Sequence, residues 1–210
     1  MSIVTPRQRK HLCADALFRL VRRGFDTIPE PRPSAVESAC TDVRMSACAM
    51  FSLKSPSRLA VDKQRAEGNW GTIYGIGRAP CDPQRRERLA PVSPKSLHPL
   101  FKRVFRPLQR GKALEPRAFL DGHSVLALDG TGYFSSKTMH CASCLPKVHR
   151  HGSSTYAHQL LGAAIIHPDF RAVLPLMPDP IVRHDGTDNN DCARHAATRF
   201  IAQWRQDHPH

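Results

Sequence analysis

The feature of this sequence that most constrains its fold is the position of its charge. Residues 1–118 contain 23 Lys and Arg against 10 Asp and Glu, a net charge of +13, whereas residues 119–210 contain eight of each sign and are neutral. A surplus of positive charge that is confined to one part of a 210-residue chain predicts two regions, one with a basic surface and one with a neutral surface. A strongly basic surface is typical of proteins that bind polyanions, above all nucleic acid.

Composition excludes several classes of protein. Hydrophobic residues make up 40% of the chain, and neither a glycine period nor a sustained heptad occurs, which argues against disorder, collagen and coiled coil. Seven cysteines, an odd and scattered set, do not suggest a disulfide framework. No apolar run has the roughly 20 residues of a membrane span, and no secretory signal is evident. We therefore expect a cytoplasmic, nucleoid-associated protein with no membrane partner.

The basic region, residues 1–118, is predicted to be mainly helical. Apolar residues at helical spacing indicate helices over residues 8–24, with Gly24 as the stop, and over residues 35–53. A stiff proline-rich linker, residues 29–33, separates them. Two later Pro-containing start signals predict a short helix at residues 84–89 and a longer one after residue 94.

The densest basic cluster of the chain lies at residues 84–112. No acidic residue between positions 88 and 114 balances it, whereas surface helices usually mix signs. We interpret it as a contact surface for the DNA backbone, and an ordinary solvated helix face is the alternative. The candidate DNA-binding residues are Arg85, Arg86, Arg88, Lys102, Arg103, Arg106, Arg110 and Lys112.

The neutral region, residues 119–210, changes to a β pattern. Short apolar runs predict three strands, at residues 124–129, 157–166 and 172–176. A helix follows, which Thr187 or Asp188 would cap. The order β-β-β-α after a helical region predicts an α+β protein.

Asp129 is a candidate metal ligand. It is predicted to end a buried strand, and the residues after it, Gly-Thr-Gly, are small and indicate a turn. A rigid strand end with small neighbours leaves room for a metal ion. An ordinary turn Asp is the alternative.

A second candidate metal site is Cys141-x-x-Cys144, which has His140, His149 and His151 nearby. Two thiolates at this spacing and one imidazole supply three of the four tetrahedral ligands that zinc prefers. We take Cys141, Cys144 and His149 as the candidate ligands, with Cys192 as a distant fourth. The alternative is a polar insert between strands without metal.

Several short motifs, taken in order, resemble bacterial insertion-sequence transposases of the DDE type. The specific block spans residues 120–192, and the similarity extends over about residues 40–203. The motifs that carry it are LDGTGYFSSK at 128–137, HCASC at 140–144, YAHQLLGA at 156–163, VLPL at 173–176, DG at 185–186 and NDC at 190–192, preceded by MFSLKSPS at 50–57, TIYG at 72–75, PLFK at 99–102 and LQRGK at 108–112.

The resemblance implies a helical DNA-binding region, residues 1–118, and a partial RNase H-like catalytic domain, residues 119–210, with the first half of a mixed sheet. It also implies Mg²⁺-dependent phosphodiester transfer, in which three carboxylates hold two ions. Asp129 matches the first of those carboxylates. The second catalytic Asp and the catalytic Glu would lie beyond residue 210. A different departure is at Ala193, which stands where the family's motif Asp-Cys-Glu-Arg usually has its Glu.

We interpret Asp185, Asp188 and Asp191 as turn and cap residues, not as replacements for the missing carboxylates. The resemblance therefore predicts a truncated transposase without cleavage or strand-transfer activity. Its partner would be the terminal-repeat DNA of a mobile element, with self-association or association with a full-length transposase as a further expectation. The alternative is a non-catalytic basic DNA-binding protein that competes with a full-length transposase. A third alternative is a decayed fragment that does not fold stably.

Overall fold

The fold was analysed in a computed structural model that describes residues 12–30, 39–55, 57–67, 70–182 and 192–208. The chain divides into two compact units, Met1–Ala113 and Leu114–His210. The first unit is helical and the second is built on an antiparallel sheet, so the predicted α+β class is confirmed. The division falls five residues before the predicted change at residue 118.

Short helices joined by tight connections make up the described part of the first unit, the helical unit. They are α1 Ala14–Asp26, α2 Cys40–Ser52, α3 Arg58–Ala66, α4 Trp70–Tyr74, α5 Asp82–Leu89 and α6 His98–Arg110, with a 3₁₀ turn at Pro94–Leu97. Pro99 lies in the first turn of α6, where a missing N–H costs no hydrogen bond. Among the described residues, no helix combines the length and the apolar character needed to cross a membrane.

Helix α1 does not stop at Gly24, as the sequence had indicated, but continues to Asp26. Gly24 is buried, and a Cβ on it would overlap the side chain of Leu100 in α6. Gly24 is therefore needed because α1 and α6 approach each other closely at this position. The predicted start of this helix and most of the linker at residues 29–33 lie outside the described residues.

Two buried polar side chains of α2 hold the helical unit together. The Asp42 carboxylate is 5% exposed and accepts hydrogen bonds from the Arg22 guanidinium at 2.7 Å and from the backbone N–H groups of Gly77 and Arg78 at 2.9 and 3.1 Å. Arg44 donates to three carbonyl groups at the C-terminal end of α1, those of Phe25, Ile28 and Pro29. These bonds satisfy groups that would otherwise be buried without partners.

The second unit, the sheet unit, is organised around two long strands. Its strands are β1 Ala118–Leu120, β2 His123–Ser136, β3 Leu145–Val148, β4 Ser154–Ile166, β5 Leu174–Pro175 and β6 Asp179–Ile181, and its helix is α7 Ala193–Asp207. Strands β2 and β4 pair along almost their whole length, from Val125 opposite Ile166 to Ser136 opposite Tyr156. The short strands β3, β6 and β5 pair in turn with the other edge of β4.

The predicted turn at Gly130-Thr-Gly132 is wrong, because β2 continues through it to Ser136. Gly130 instead makes room for α7: a Cβ there would lie 2.8 Å from the Cβ of Ala193. Of the predicted third strand at residues 172–176, only Leu174–Pro175 forms a strand, β5, and a further short strand that was not predicted, β6, follows at Asp179–Ile181. Prolines at 175, 178 and 180 lack the N–H group that a longer ladder needs.

Helix α7 covers one face of the sheet. Alternate residues of β4, Leu161, Ala163 and Ile165, are buried, and α7 contributes buried Ala196 and Phe200 while contacting β2, β4 and β6. The N-cap of α7 is Cys192, whereas the predicted caps at positions 187 and 188 lie outside the described residues.

Substituting Gly24 tests the close approach of α1 and α6. We expect Gly24→Ala to destabilise the helical unit by about 1–3 kcal/mol, because the added methyl overlaps Leu100 and forces it to move. Urea unfolding followed by the fluorescence of buried Trp70, in a Trp204→Phe background, measures the change.

Gly71→Ala is the matched control, since the nearest atom to its added Cβ is a carbonyl oxygen 3.5 Å away, an ordinary contact. It lies in helix α4 and should be neutral or slightly stabilising. Equal destabilisation by the two substitutions would contradict the role assigned to Gly24.

Candidate functional site

The open face of the sheet, opposite α7, carries two chemically distinctive side chains. Leu161 and its alternate neighbours face α7, so residues of β4 at even positions, including His158, lie on the other face. Asp129 of β2 is opposite Gly162 and therefore shares that face. Gly162 and His158 are four positions apart in β4, so the positions of Asp129 and His158 are about 13 Å apart along the strand direction.

Asp129 is exposed and lies in the middle of β2, not at its end. It belongs to no group of three or more metal-ligating side chains within the described part of the chain. The two-ion chemistry implied by the resemblance uses three carboxylates, and the described residues do not provide that set. Asp185, Asp188 and Asp191 lie outside the described residues.

Cys141, Cys144 and His158 form a compact cluster, called here the Cys₂His cluster. The two Sγ atoms are 3.7 Å apart, and His158 Nε2 lies 3.4 Å from Sγ of Cys141 and 3.3 Å from Sγ of Cys144. Cys144 is buried, His158 is partly buried and Cys141 is exposed. Among the residues that the structure describes, no other set of His, Cys, Asp or Glu side chains comes together in this way.

Local backbone geometry explains why the cluster forms. Residues 141–144 make a turn in which the Cys144 N–H donates to the Cys141 carbonyl at 3.1 Å, and the Cys141 N–H donates to Cys144 Sγ at 3.3 Å. Strand β3 begins at the next residue, Leu145, which pairs with Ala157. Continuing this antiparallel register by one residue places Cys144 beside His158.

Aromatic side chains of β2 position the His158 ring. A β-bulge between Gly132 and Phe134 inserts Tyr133 as an extra residue. Tyr133 stacks on His158 with centroids 5.8 Å apart and planes 15° apart, and the Phe134 centroid lies 5.6 Å from the same ring. These contacts restrict the ring while its Nε2 faces the two sulfur atoms.

The histidine predicted as a zinc ligand, His149, is not in the cluster. Its Nε2 lies 2.7 Å from the Thr155 hydroxyl at the far end of the β3–β4 hairpin. His140 stacks on Tyr156, with ring centroids 4.4 Å apart. Cys192 begins α7, which packs on the other face of the sheet, so it is not a ligand of this cluster either.

Sequence spacing missed His158 because this residue is 14 positions from Cys144 and is brought back only by the hairpin. A usable signal was present, since the three-strand pattern already placed residue 158 on a strand after the cysteines. Pairing the Cys-x-x-Cys segment with that strand would have identified it.

Two other cysteines are unsuited to reaction or metal binding as thiolates. Burial and a hydrogen bond with Glu30 raise the pKa of Cys40 to about 11. Burial raises the pKa of Cys48 as well. Both thiols therefore stay protonated at neutral pH.

Four of the predicted DNA-binding residues share one side of α6. At 100° per residue, Lys102, Arg103, Arg106 and Arg110 fall within an arc of about 100°, and the buried Leu100 and Phe105 lie outside it. Arg106 and Arg110 are exposed, and Arg103 donates to the Arg23 carbonyl at 3.0 Å. Lys112, just beyond the helix, is exposed with a positive φ of 58°. Lys102, Arg103, Arg106 and Arg110 are called here the α6 basic face.

Arg85 and Arg88 are corrected from DNA-binding to structural residues, because they are 2% and 6% exposed. Arg85 donates to Ser46 Oγ and to the Pro80 carbonyl and lies 3.6 Å from the Asp62 carboxylate. Neighbouring Arg86 is exposed and pairs with Asp82 at 3.1 Å.

Substituting Arg85 tests its structural role. We expect Arg85→Ala to cost roughly 3 kcal/mol or more, because it removes the buried cation beside the partly buried Asp62 carboxylate and breaks the hydrogen bonds to Ser46 and Pro80. The matched control is Arg86→Ala in the same helix, whose exposed ion pair is worth at most about 1 kcal/mol. Urea unfolding monitored by circular dichroism measures both, and equal small effects would contradict the burial argument.

Comparisons of this chain with models of protein families, with curated proteins and with solved structures found no match.

Proposed function

We propose that this chain is a DNA-binding protein of the DDE-transposase type, which holds the ends of a mobile element through the helical unit. The supporting observation is the α6 basic face, where four cationic side chains lie side by side on a helix whose opposite side is buried. The sequence between Arg88 and Glu115 contains no Asp or Glu, so no acidic residue neighbours these cations along the chain. Phosphate groups of DNA are the polyanion that such a row binds without reading sequence.

In the sheet unit, a single residue, Asp129, supports the transposase part of the proposal. Asp129 is an exposed carboxylate on β2, the first long strand of the sheet unit, and the resemblance implies that the first metal-binding Asp lies on the first strand. Magnesium would be the cation that such an oxygen ligand prefers. A cytoplasmic location at the nucleoid follows from the DNA partner.

A second candidate function is a non-catalytic protein that occupies the DNA ends and competes with an active transposase. The observation that favours it is the isolation of Asp129 from other metal-ligating groups in the described residues. The two functions share a DNA partner and differ in chemistry, so one binding assay and one cleavage assay separate them.

The binding assay compares two double variants at several salt concentrations. We expect Arg106→Ala/Arg110→Ala to weaken DNA binding and to lower the slope of log K against log[salt] by about 1–2, since each phosphate contact contributes about 0.9. The matched control is Arg150→Ala/Arg205→Ala, which removes two exposed arginines from the neutral sheet unit and should leave both quantities unchanged. Fluorescence anisotropy with labelled duplex DNA measures them.

Unchanged binding in the α6 double variant, or an equal loss in the control, would contradict the proposed interface. Absence of binding by the unmodified chain even at low salt would refute both candidate functions.

The cleavage assay tests whether the chain carries out transposase chemistry. We expect no Mg²⁺-dependent nicking of supercoiled or terminal-repeat DNA, because among the described residues Asp129 has no partners that could hold two ions with it. Gel electrophoresis of DNA incubated with Mg²⁺, beside the Asp129→Asn variant, measures it. Nicking that disappears in Asp129→Asn would show that the chain is catalytically active and would exclude the competitor.

A further inference from the structure

We propose that Cys141, Cys144 and His158 bind one zinc ion, which fastens the turn before β3 to strand β4. The three ligand atoms come from two segments that are separated in sequence and joined through the β3–β4 hairpin. This inference rests on the geometry of the sheet unit and does not depend on DNA binding.

The distances within the cluster are those of a tetrahedral zinc site. With Zn–S bonds of about 2.3 Å and a Zn–N bond of about 2.05 Å, tetrahedral angles place two sulfur ligands about 3.8 Å apart and each sulfur about 3.6 Å from the nitrogen. The corresponding separations are 3.7 Å between the sulfur atoms and 3.4 and 3.3 Å from sulfur to Nε2. A single ion therefore reaches all three atoms without a change in the backbone.

Two features hold the ligands ready for the ion. Cys144 is 4% exposed, and its Sγ accepts the Cys141 N–H, so its sulfur is fixed in direction. The His158 ring is restricted by Tyr133 and Phe134, which act as positioning residues. Two thiolates and one imidazole match zinc better than Mg²⁺ or Ca²⁺, which prefer oxygen ligands.

The fourth position of the tetrahedron lies on the side reached by solvent, because Cys141 is exposed. Among the described residues none supplies a fourth ligand, which leaves the fourth position open to solvent. Zinc takes three protein ligands and one water at catalytic sites, whereas purely structural sites use four protein ligands.

The ion would stabilise a part of the sheet that has few other contacts. Strand β3 is four residues long, includes Pro146, which lacks a donor, and ends at Val148, whose side chain is 73% exposed. Beyond it, the hairpin turn at residues 149–153 is exposed. A metal bond across β3 and β4 supplies a link that apolar burial does not provide here.

The first experiment measures zinc in the full chain purified under reducing conditions, by elemental analysis and by release of zinc from the protein to a colorimetric chelator. We expect about one zinc per chain. Titration of the metal-free protein with Co²⁺ should produce a thiolate-to-cobalt charge-transfer band and the visible bands of tetrahedral cobalt.

The variants identify the ligands. Cys141→Ser, Cys144→Ser and His158→Gln should each weaken zinc affinity by at least about 100-fold, more than the 10–100-fold typical of residues that only support a ligand. The matched controls are Cys192→Ser and His149→Gln, which remove the same chemical groups outside the cluster and should retain full zinc. Loss of zinc in His149→Gln with retention in His158→Gln would refute the ligand assignment.

Limited proteolysis of the unmodified chain keeps the test independent of whether the variants fold. Removal of zinc by a chelator should speed trypsin cleavage after Lys147 and Arg150, at or beside β3, severalfold, and leave cleavage after Arg205 in α7 unchanged. The proposal is overturned if the unmodified chain contains no zinc and gives no tetrahedral Co²⁺ spectrum.

Discussion

The pairing of β2 with β4 is the interaction on which the sheet unit depends. This ladder runs from Val125 opposite Ile166 to Ser136 opposite Tyr156, and the short strands β3, β5 and β6 join β4 at its other edge, while β1 pairs with β2. Because side chains alternate along paired strands, the ladder divides the unit into two faces with different tasks. One face buries Leu161 against α7, and the other presents Asp129 and His158. A slip of one residue would exchange the faces, so this register fixes both the core and the candidate sites.

In the helical unit, the basic residues divide into two kinds with separate physical roles. Arg44 and Arg85 are buried and donate to carbonyl or hydroxyl groups, so their charge stabilises the packing of short helices. Arg106 and Arg110 lie on the solvent side of α6. Buried cations are costly unless paired, and Arg85 accordingly lies close to the carboxylates of Asp62 and Asp82, while Arg44 donates to three carbonyl groups. The surplus charge available to a polyanion is therefore smaller than the composition suggests, because Arg44, Arg85 and Arg88 are buried.

Patterns within single elements were enough to predict the α+β class, the first half of β2, most of β4 and most helices. The amphipathic pattern of α6 and the apolar runs of β2 and β4 are local, because each depends on neighbours a few residues away. Where prediction was wrong, a distant segment had decided the outcome. Gly24 and Gly130 read as stop and turn signals, yet each is needed where a helix approaches closely. His149 was predicted because it lies close to the two cysteines in the sequence, but the hairpin brings His158 to them instead.

The sequence by itself determined the location of the basic surplus, the change from helical to β pattern, and the two cysteines of the candidate zinc site. These properties follow from residue type and short spacing. Only the tertiary structure decided which arginines are buried, that Asp129 lies within a strand, and which histidine joins Cys141 and Cys144. The physical reason is that burial and ligand geometry depend on contacts between segments far apart in the chain, and strand register and helix packing set those contacts.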